Sequence, residues 1–382
     1  MLNGQLVIDA VAHAYMFQPE NRNPSCSVEA YQRLVRPSWA MFHEPFSSRA
    51  DGYLLSEREY TQGWNVEEVA SMFFEESDVD LAVYHAVNFP DFFAAGLTPF
   101  WFGAELKKAY PGRVMLFAPV EPVHPGDQSE ALQRMEQHTA AAPVDGFKFY
   151  PATGAVRNSL SDGAAVFFDD EKYMFPYFEK ARELGVPHIA VHKGIPALPS
   201  PIELLNPDDV TGAALAFPDL TFEVVHSGWA FLDESALQLM SAPNVFANLE
   251  CVANFLVRYP RRFAQILGKM LQVGGGDQII FGTGAVLNHP QPILDAFMRF
   301  RMPEDLLEEG LPEVTDDMKS AILGGNFLRM HRLDARQLHD RVAEDEWAHQ
   351  RAAARARPPA PWRKLRERLA AGGPPPSPFG RF

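Results

Sequence analysis

The chain has 382 residues, 47% of them hydrophobic, and a formal net charge of −15. That length and apolar content suffice for a large core, in one big α/β domain or two smaller ones. The acidic balance excludes nucleic acid and anionic membrane as general partners, although residues 351–382 hold eight Lys/Arg against one Glu, about +7, which leaves about −22 for the rest.

Two cysteines, Cys26 and Cys251, give no disulfide framework and suit a reducing cytoplasm. The start, MLNGQLVIDAVAHAY, has no basic stretch followed by an apolar run, so it does not read as a secretory signal. No apolar run approaches the roughly 18 residues of a spanning helix. The 29 Phe residues fit an apolar substrate pocket and a Phe-rich core equally well.

In chain order, QLVIDAVAHAY reads as a buried strand running into a polar end. Residues 18–64, with Pro, Asn, Ser and scattered aromatics, read as a long loop; that length points to a lid or an interface arm. A regular alternation follows. Helices near 65–77, 100–110, 128–141, 171–185, 203–216, 231–241 and 259–273 precede the strands DLAVYHAVNF, RVMLFAPVEP, DGFKFYP, VPHIAVHKG, LTFEVVHSG, NVFANLEC and QIIFGTGA. Helices near 291–300 and 315–330 complete the series. Eight strands separated by helices predict a (β/α)8 TIM barrel over residues 1–332. An open doubly wound sheet is the rival, disfavoured because no Gly-rich phosphate turn follows the first strand. VGGGDQ, 273–278, precedes a strand and reads as a turn. Residues 333–382, rich in Pro, Ala and Arg, read as a C-terminal extension, partly helical or disordered.

Active-site groups of a barrel sit at the C-terminal ends of its strands. Those ends offer Asp9 and His13; His85 and Asn88; Glu121 and His124; Lys148 and Tyr150; His192 and Lys193; Glu223 and His226; Asn248 and Glu250; and Thr283 with His289. His13, His192, His226 and His289 come from different strands and would converge at one mouth, the donor set of a Zn, Mn or Fe site. Each alone is more often a hydrogen-bonded core or loop residue. In TFEVVHSG the strand alternation puts Glu223 and Val225 on one face, Val224 and His226 on the other. Glu223 reads as a metal ligand, or as a partner of Lys148 or Lys193; Glu250 reads as a ligand, or as the start of the next helix. Cys251 fits a nucleophile poorly, since the adjacent Glu250 raises a thiol pKa.

These segments resemble the amidohydrolase-related family of the metal-dependent hydrolase superfamily, across about 6–332: VIDAVAH, GFKFYP, VHKG, FEVVHSG, FGTG and ILGGNFLRMHRL, in that order. Two positions depart from the family's pattern. Its first strand supplies H-x-H or E-x-H, here Val11 and His13. Its eighth strand supplies an aspartate, here Gly284. IDAVAHAY, FEVVHSGWAF, NLE and GTGA with HPQP resemble a smaller branch of dinuclear Fe/Fe or Fe/Mn oxygenases. That resemblance implies two metal ions held by His13, His192, Glu223, His226, Glu250 and His289, with His289 replacing the lost ligand. It further implies O2 as co-substrate, an external electron donor, hydroxylation of an unactivated C–H bond of a small molecule, and Lys148 and Tyr150 orienting substrate. With the tail, it points to a homo- or hetero-oligomer. The alternatives are a mononuclear Zn- or Mn-dependent hydrolase or decarboxylase, and a non-catalytic paralogue that stabilises an active partner.

Overall fold

The computed structural model describes residues 4–50, 52–122, 128–150, 166–197 and 201–379. Eight parallel strands lie side by side in chain order: β1 (Ile8–Ala12), β2 (Leu81–His85), β3 (Val114–Val120), β4 (Gly146–Phe149), β5 (His188–His192), β6 (Thr221–Val225), β7 (Val245–Asn248) and β8 (Ile279–Ile280). The first and last edges meet. Ala10 N donates to Phe281 O at 3.0 Å, Gly284 N to Val11 O at 3.1 Å and His13 N to Ala285 O at 2.5 Å. The result is the (β/α)8 TIM barrel that the alternation predicted.

The strands are short apolar runs such as IDAVA and LAVYH, buried at every position because helices cover one face and the barrel interior takes the other. Leu81, Val83, Phe117, Ala190, Val225 and Phe246 fill the interior, and Phe327 and Met330 close its floor. The outward faces, including Phe147, Ile189, Phe222 and Val224, pack on helix residues such as Tyr177, Phe178 and Val210. Register places Lys148 beside Ala190, Ala190 beside Glu223 and Glu223 beside Phe246, so the two charged residues share one interior tier.

Residues 18–64 differ from the loop reading. They hold a helix at Val28–Ser38, with Ser27 Oγ accepting from Ala30 N at 3.1 Å, then a wide turn at Trp39–His43 and a short helix at Glu57–Tyr60. Pro37 and the Pro- and Asn-containing stretch before it read as loop in the sequence, although the helix is amphipathic and buries Tyr31 and Val35. Beyond the barrel, helices at Ala335–Ala343, Glu346–Arg355 and Arg363–Ala370 pack back on the body. Buried Trp362 donates its indole N–H to Tyr53 O at 2.9 Å, and its ring meets those of Trp64 and His289 at 5.4 and 5.0 Å. No helix of the described residues is long and apolar enough to cross a membrane.

Candidate metal centre

At the C-terminal ends of the strands lies a cavity of about 420 Å³. His13, His192, His226, Glu250 and Cys251 form its polar end, with Tyr150 beside them. Tyr15, Phe17, Phe89, Leu97, Ile195 and Leu287 make apolar walls, and the helix and turn at 28–43 add Leu34, Pro37, Met41 and Phe42.

Two histidines have fixed tautomers. His13 Nδ1 lies 3.0 Å from His85 O and His192 Nε2 lies 2.5 Å from Ile195 O. A carbonyl only accepts, so each of those nitrogens carries the proton and the opposite nitrogen keeps its lone pair. Metal-ligating histidines are commonly oriented in this way. Burial pushes His13 down to about 4, beyond what the nearby Glu250 restores, and pushes His192 well below the usual imidazole range. Both are neutral and able to ligate.

His226 completes the chain of contacts. Its Nε2 lies 2.9 Å from His192 Nδ1, which must accept, so His226 donates there. His226 Nδ1 lies 3.4 Å from Glu250 O and in ion-pair contact with Glu250 Oε2. Both are acceptors, so Nδ1 meets them with a proton, or through a metal ion once that proton has left. Burial pushes the Glu250 carboxyl up, but His226 and His13 outweigh it and hold the group at about 2. The donor set of imidazoles and a carboxylate held ionised therefore fits a divalent metal.

His226 departs from the simple alternation. Its φ of 66° breaks the pleat after Val225 and swings its ring into the mouth, whereas Glu223 and Val225 keep the interior face as expected. Glu250 follows β7, with Glu250 N donating to Asn248 Oδ1 at 2.8 Å while Asn248 Nδ2 donates to Glu223 Oε1 at 2.5 Å. Asn248 thus ties the Glu223 carboxylate to the Glu250 backbone. Gly284 explains the space that Glu250 fills. Its φ is 72°, and a Cβ there would lie well inside van der Waals contact of Glu250 Oε1.

The sequence-predicted residues divide into three groups. His13, His192, His226, Glu250 and Tyr150 meet around the cavity, with the Tyr150 ring stacked 4.5 Å from that of His192. Lys148 and Glu223 lie in the tier beneath it. Lys148 Nζ, buried and without a hydrogen-bond partner, sits 5.2 Å from the Tyr150 ring centre, and Glu223 Oε2 is likewise unpartnered. Burial lowers Lys148 to about 8 and raises Glu223 to about 7, each moderated by the other's charge. Lys193 is committed elsewhere, 2.6 Å from Asp209 Oδ1. His289 is not brought to the cluster, contrary to its expected role as the replacement ligand. Its Nδ1 accepts from Gln291 N at 3.2 Å as a helix N-cap, and its Nε2 lies 3.2 Å from Glu76 Oε2. The helix start after HPQP claims one nitrogen and the outer layer claims the other. His124 lies outside the described residues.

The residue that sequence reasoning missed is Cys251, set aside as a nucleophile without being weighed as a ligand. Among the described residues, His226, Glu250 and Cys251 form the one group of three such side chains whose donor atoms all lie within 4.8 Å of one another.

A family model described as Amidohydrolase matches residues 74–333. An uncharacterised TIM-barrel protein from Bordetella bronchiseptica superimposes with a TM-score of 0.56 at 18% identity, covering 85% of this chain and 97% of that one. A 5-carboxyvanillate decarboxylase from Novosphingobium aromaticivorans, complexed with manganese and 4-hydroxy-3-methoxy-5-nitrobenzoic acid, gives 0.53 at 14% identity over 86% and 97% of the two chains. The 5-carboxyvanillate decarboxylase from Sphingomonas paucimobilis gives 0.50 at 16% identity over 86% and 100%. At these identities the likeness is one of fold. No curated protein matches the chain.

Proposed function

The chain belongs to the amidohydrolase family, and from that premise we propose that it is a metal-dependent decarboxylase or hydrolase of a small molecule with a largely apolar body. The observation that carries this reading is the convergence of His13, His192, His226 and Glu250 on one buried cavity, with His226 Nδ1 in ion-pair contact with the Glu250 carboxylate. A divalent metal held there supplies Lewis acidity to a substrate oxygen or to water. His226 and Glu250 would hold it, and His13 presents its free Nε2 to the same space, while His192 Nδ1 accepts from His226 Nε2 and positions that ring. The carbonyls of His85 and Ile195 keep those rings oriented. Tyr150 orients the substrate, and buried Lys148 beneath it stabilises negative charge at the polar end. Leu34, Met41 and Phe42 form an apolar rim above the cavity, with Met41 59% exposed. Manganese in the decarboxylase of the same fold supports a metal-dependent reaction that needs no oxygen.

The oxygenase expectation depended on His289 as a rebuilt ligand, and that residue is engaged elsewhere. One experiment separates the readings. The purified chain is loaded with manganese, zinc or iron, metal per chain is quantified, and turnover of aromatic and aliphatic carboxylic acids and esters is followed under argon and in air. Bound metal with turnover under argon supports the proposal. Product formation coupled to O2 uptake, with iron and a reductant, overturns it in favour of the oxygenase. Failure to retain any metal leaves the non-catalytic paralogue. Glu250→Gln is expected to abolish metal retention.

A further inference from the structure

We infer that Cys251 is a metal ligand, contributing a thiolate to a compact nitrogen–oxygen–sulfur group with His226 and Glu250. This rests on the metal-dependent reading above. Cys251 immediately follows Glu250, is buried, and faces the polar end of the cavity. Its Sγ, the Glu250 carboxylate and a His226 nitrogen lie within 4.8 Å of one another. The thiol donates to Glu250 Oε1 at 3.1 Å, while Glu250 Oε2 is in ion-pair contact with His226 Nδ1. An arriving cation replaces the thiol proton and satisfies both anionic atoms together, so metal binding would release that proton.

Cys251 has a φ of 60° and His226 a φ of 66°, and these left-handed turns, unfavourable for L-residues, aim both side chains at the cavity. Cys26 shows the ordinary alternative: it is buried too, but its Sγ bonds to backbone groups, donating to Ser27 O at 3.5 Å. Sulfur in the ligand set also changes the choice of metal. Thiolate suits zinc and iron better than manganese, which prefers oxygen ligands.

Cobalt(II) substitution tests this by absorption, independently of turnover. Because the chain has two cysteines, a Cys26→Ser protein leaves Cys251 as the sole source of any thiolate signal. Titrated with cobalt, that protein is expected to show visible d–d bands together with a near-ultraviolet thiolate-to-cobalt charge-transfer band. In the Cys26→Ser/Cys251→Ser protein the charge-transfer band is expected to vanish. Visible bands without the charge-transfer band in the Cys26→Ser protein overturn the inference and leave the metal-dependent reading standing. Absence of any cobalt spectrum overturns both. The Cys26→Ser protein decides the matter even where the double variant does not fold.

Discussion

Gly284 and Glu250 compete for one volume. The positive φ at Gly284 and the Glu250 carboxylate packed against its Cα mean that a side chain there displaces Glu250 or distorts the strand end. Gly284→Asp is therefore expected to lower metal content sharply and to destabilise the fold by about 1–3 kcal/mol; metal analysis and urea unfolding check both. From sequence, Gly284 read as a lost ligand and His289 as its replacement. Sequence order brought His289 near the strand end but did not reveal that the next helix would claim its Nδ1. The histidines of β1, β5 and β6 were legible because strand ends of a barrel converge whatever the details of their loops. Cys251 was not, because the left-handed turn that aims its thiol has no sequence signature in a non-glycine residue.

Asp9 gives a pH prediction at the same scale. Burial raises its carboxyl from 3.8 to about 7, although Thr283, donating through its N and Oγ1, pulls it back. The folded chain thus holds this proton more tightly than the unfolded chain. The resulting stability is present in full below about pH 4 and is lost as pH rises through about 7, on the order of 4 kcal/mol at most. Asp9→Asn removes that slope. Urea unfolding at pH 5 and pH 8 should show the variant gaining on the wild type at the higher pH, and parallel behaviour would refute the assignment.

At the scale of elements, the segment 28–55 is sewn to the loop after β8. His43 Nδ1 donates to Leu287 O at 2.5 Å and its Nε2 accepts from Leu55 N at 2.9 Å. Ser47 Oγ donates to Asn288 Oδ1 at 2.8 Å, and Asn288 Nδ2 to Phe42 O at 2.9 Å. This clasp sets Phe42 and Leu287 as facing walls of the cavity. Replacing His43 by Phe keeps a ring against Tyr60 but leaves a buried N–H and a carbonyl unpaired, each costing roughly 1–3 kcal/mol. His43→Phe is expected to lower the unfolding midpoint and to weaken substrate binding more than it slows the chemical step, a split that steady-state kinetics would resolve. The alternating helices and strands were legible because each covers a buried face of regular period. The helix at Val28–Ser38 was passed over because Pro37 and the loop-like residues before Ser27 masked an amphipathic face that buries Tyr31 and Val35.

Across the whole molecule, charge and architecture are linked by the C-terminal extension. An acidic body with a basic tail suggested a tail meant for another subunit. In the single chain the tail meets its own body: Arg363 pairs with Glu75 at 2.7 Å, Lys364 with Glu67 at 3.1 Å, Arg366 with Glu59 at 3.2 Å and Arg368 with Glu68 at 2.5 Å. Most of these pairs are partly solvated and contribute about 0–1 kcal/mol each. Trp362, 1% exposed, is the larger anchor. Its backbone N donates to Glu76 Oε2 at 2.7 Å, the oxygen that also meets His289, so the tail, the helix at Val66–Phe74 and the loop after β8 share one junction. Trp362→Ala is expected to cost about 3–5 kcal/mol, with a loss that changes little between low and high salt because the anchor is apolar. Arg368→Glu and Glu68→Arg test the direction of pairing. If the tail docks on its own chain, the double swap recovers stability lost by either single change, equally at dilute and concentrated protein. Recovery only at high protein concentration would mean that the tail crosses to a neighbour.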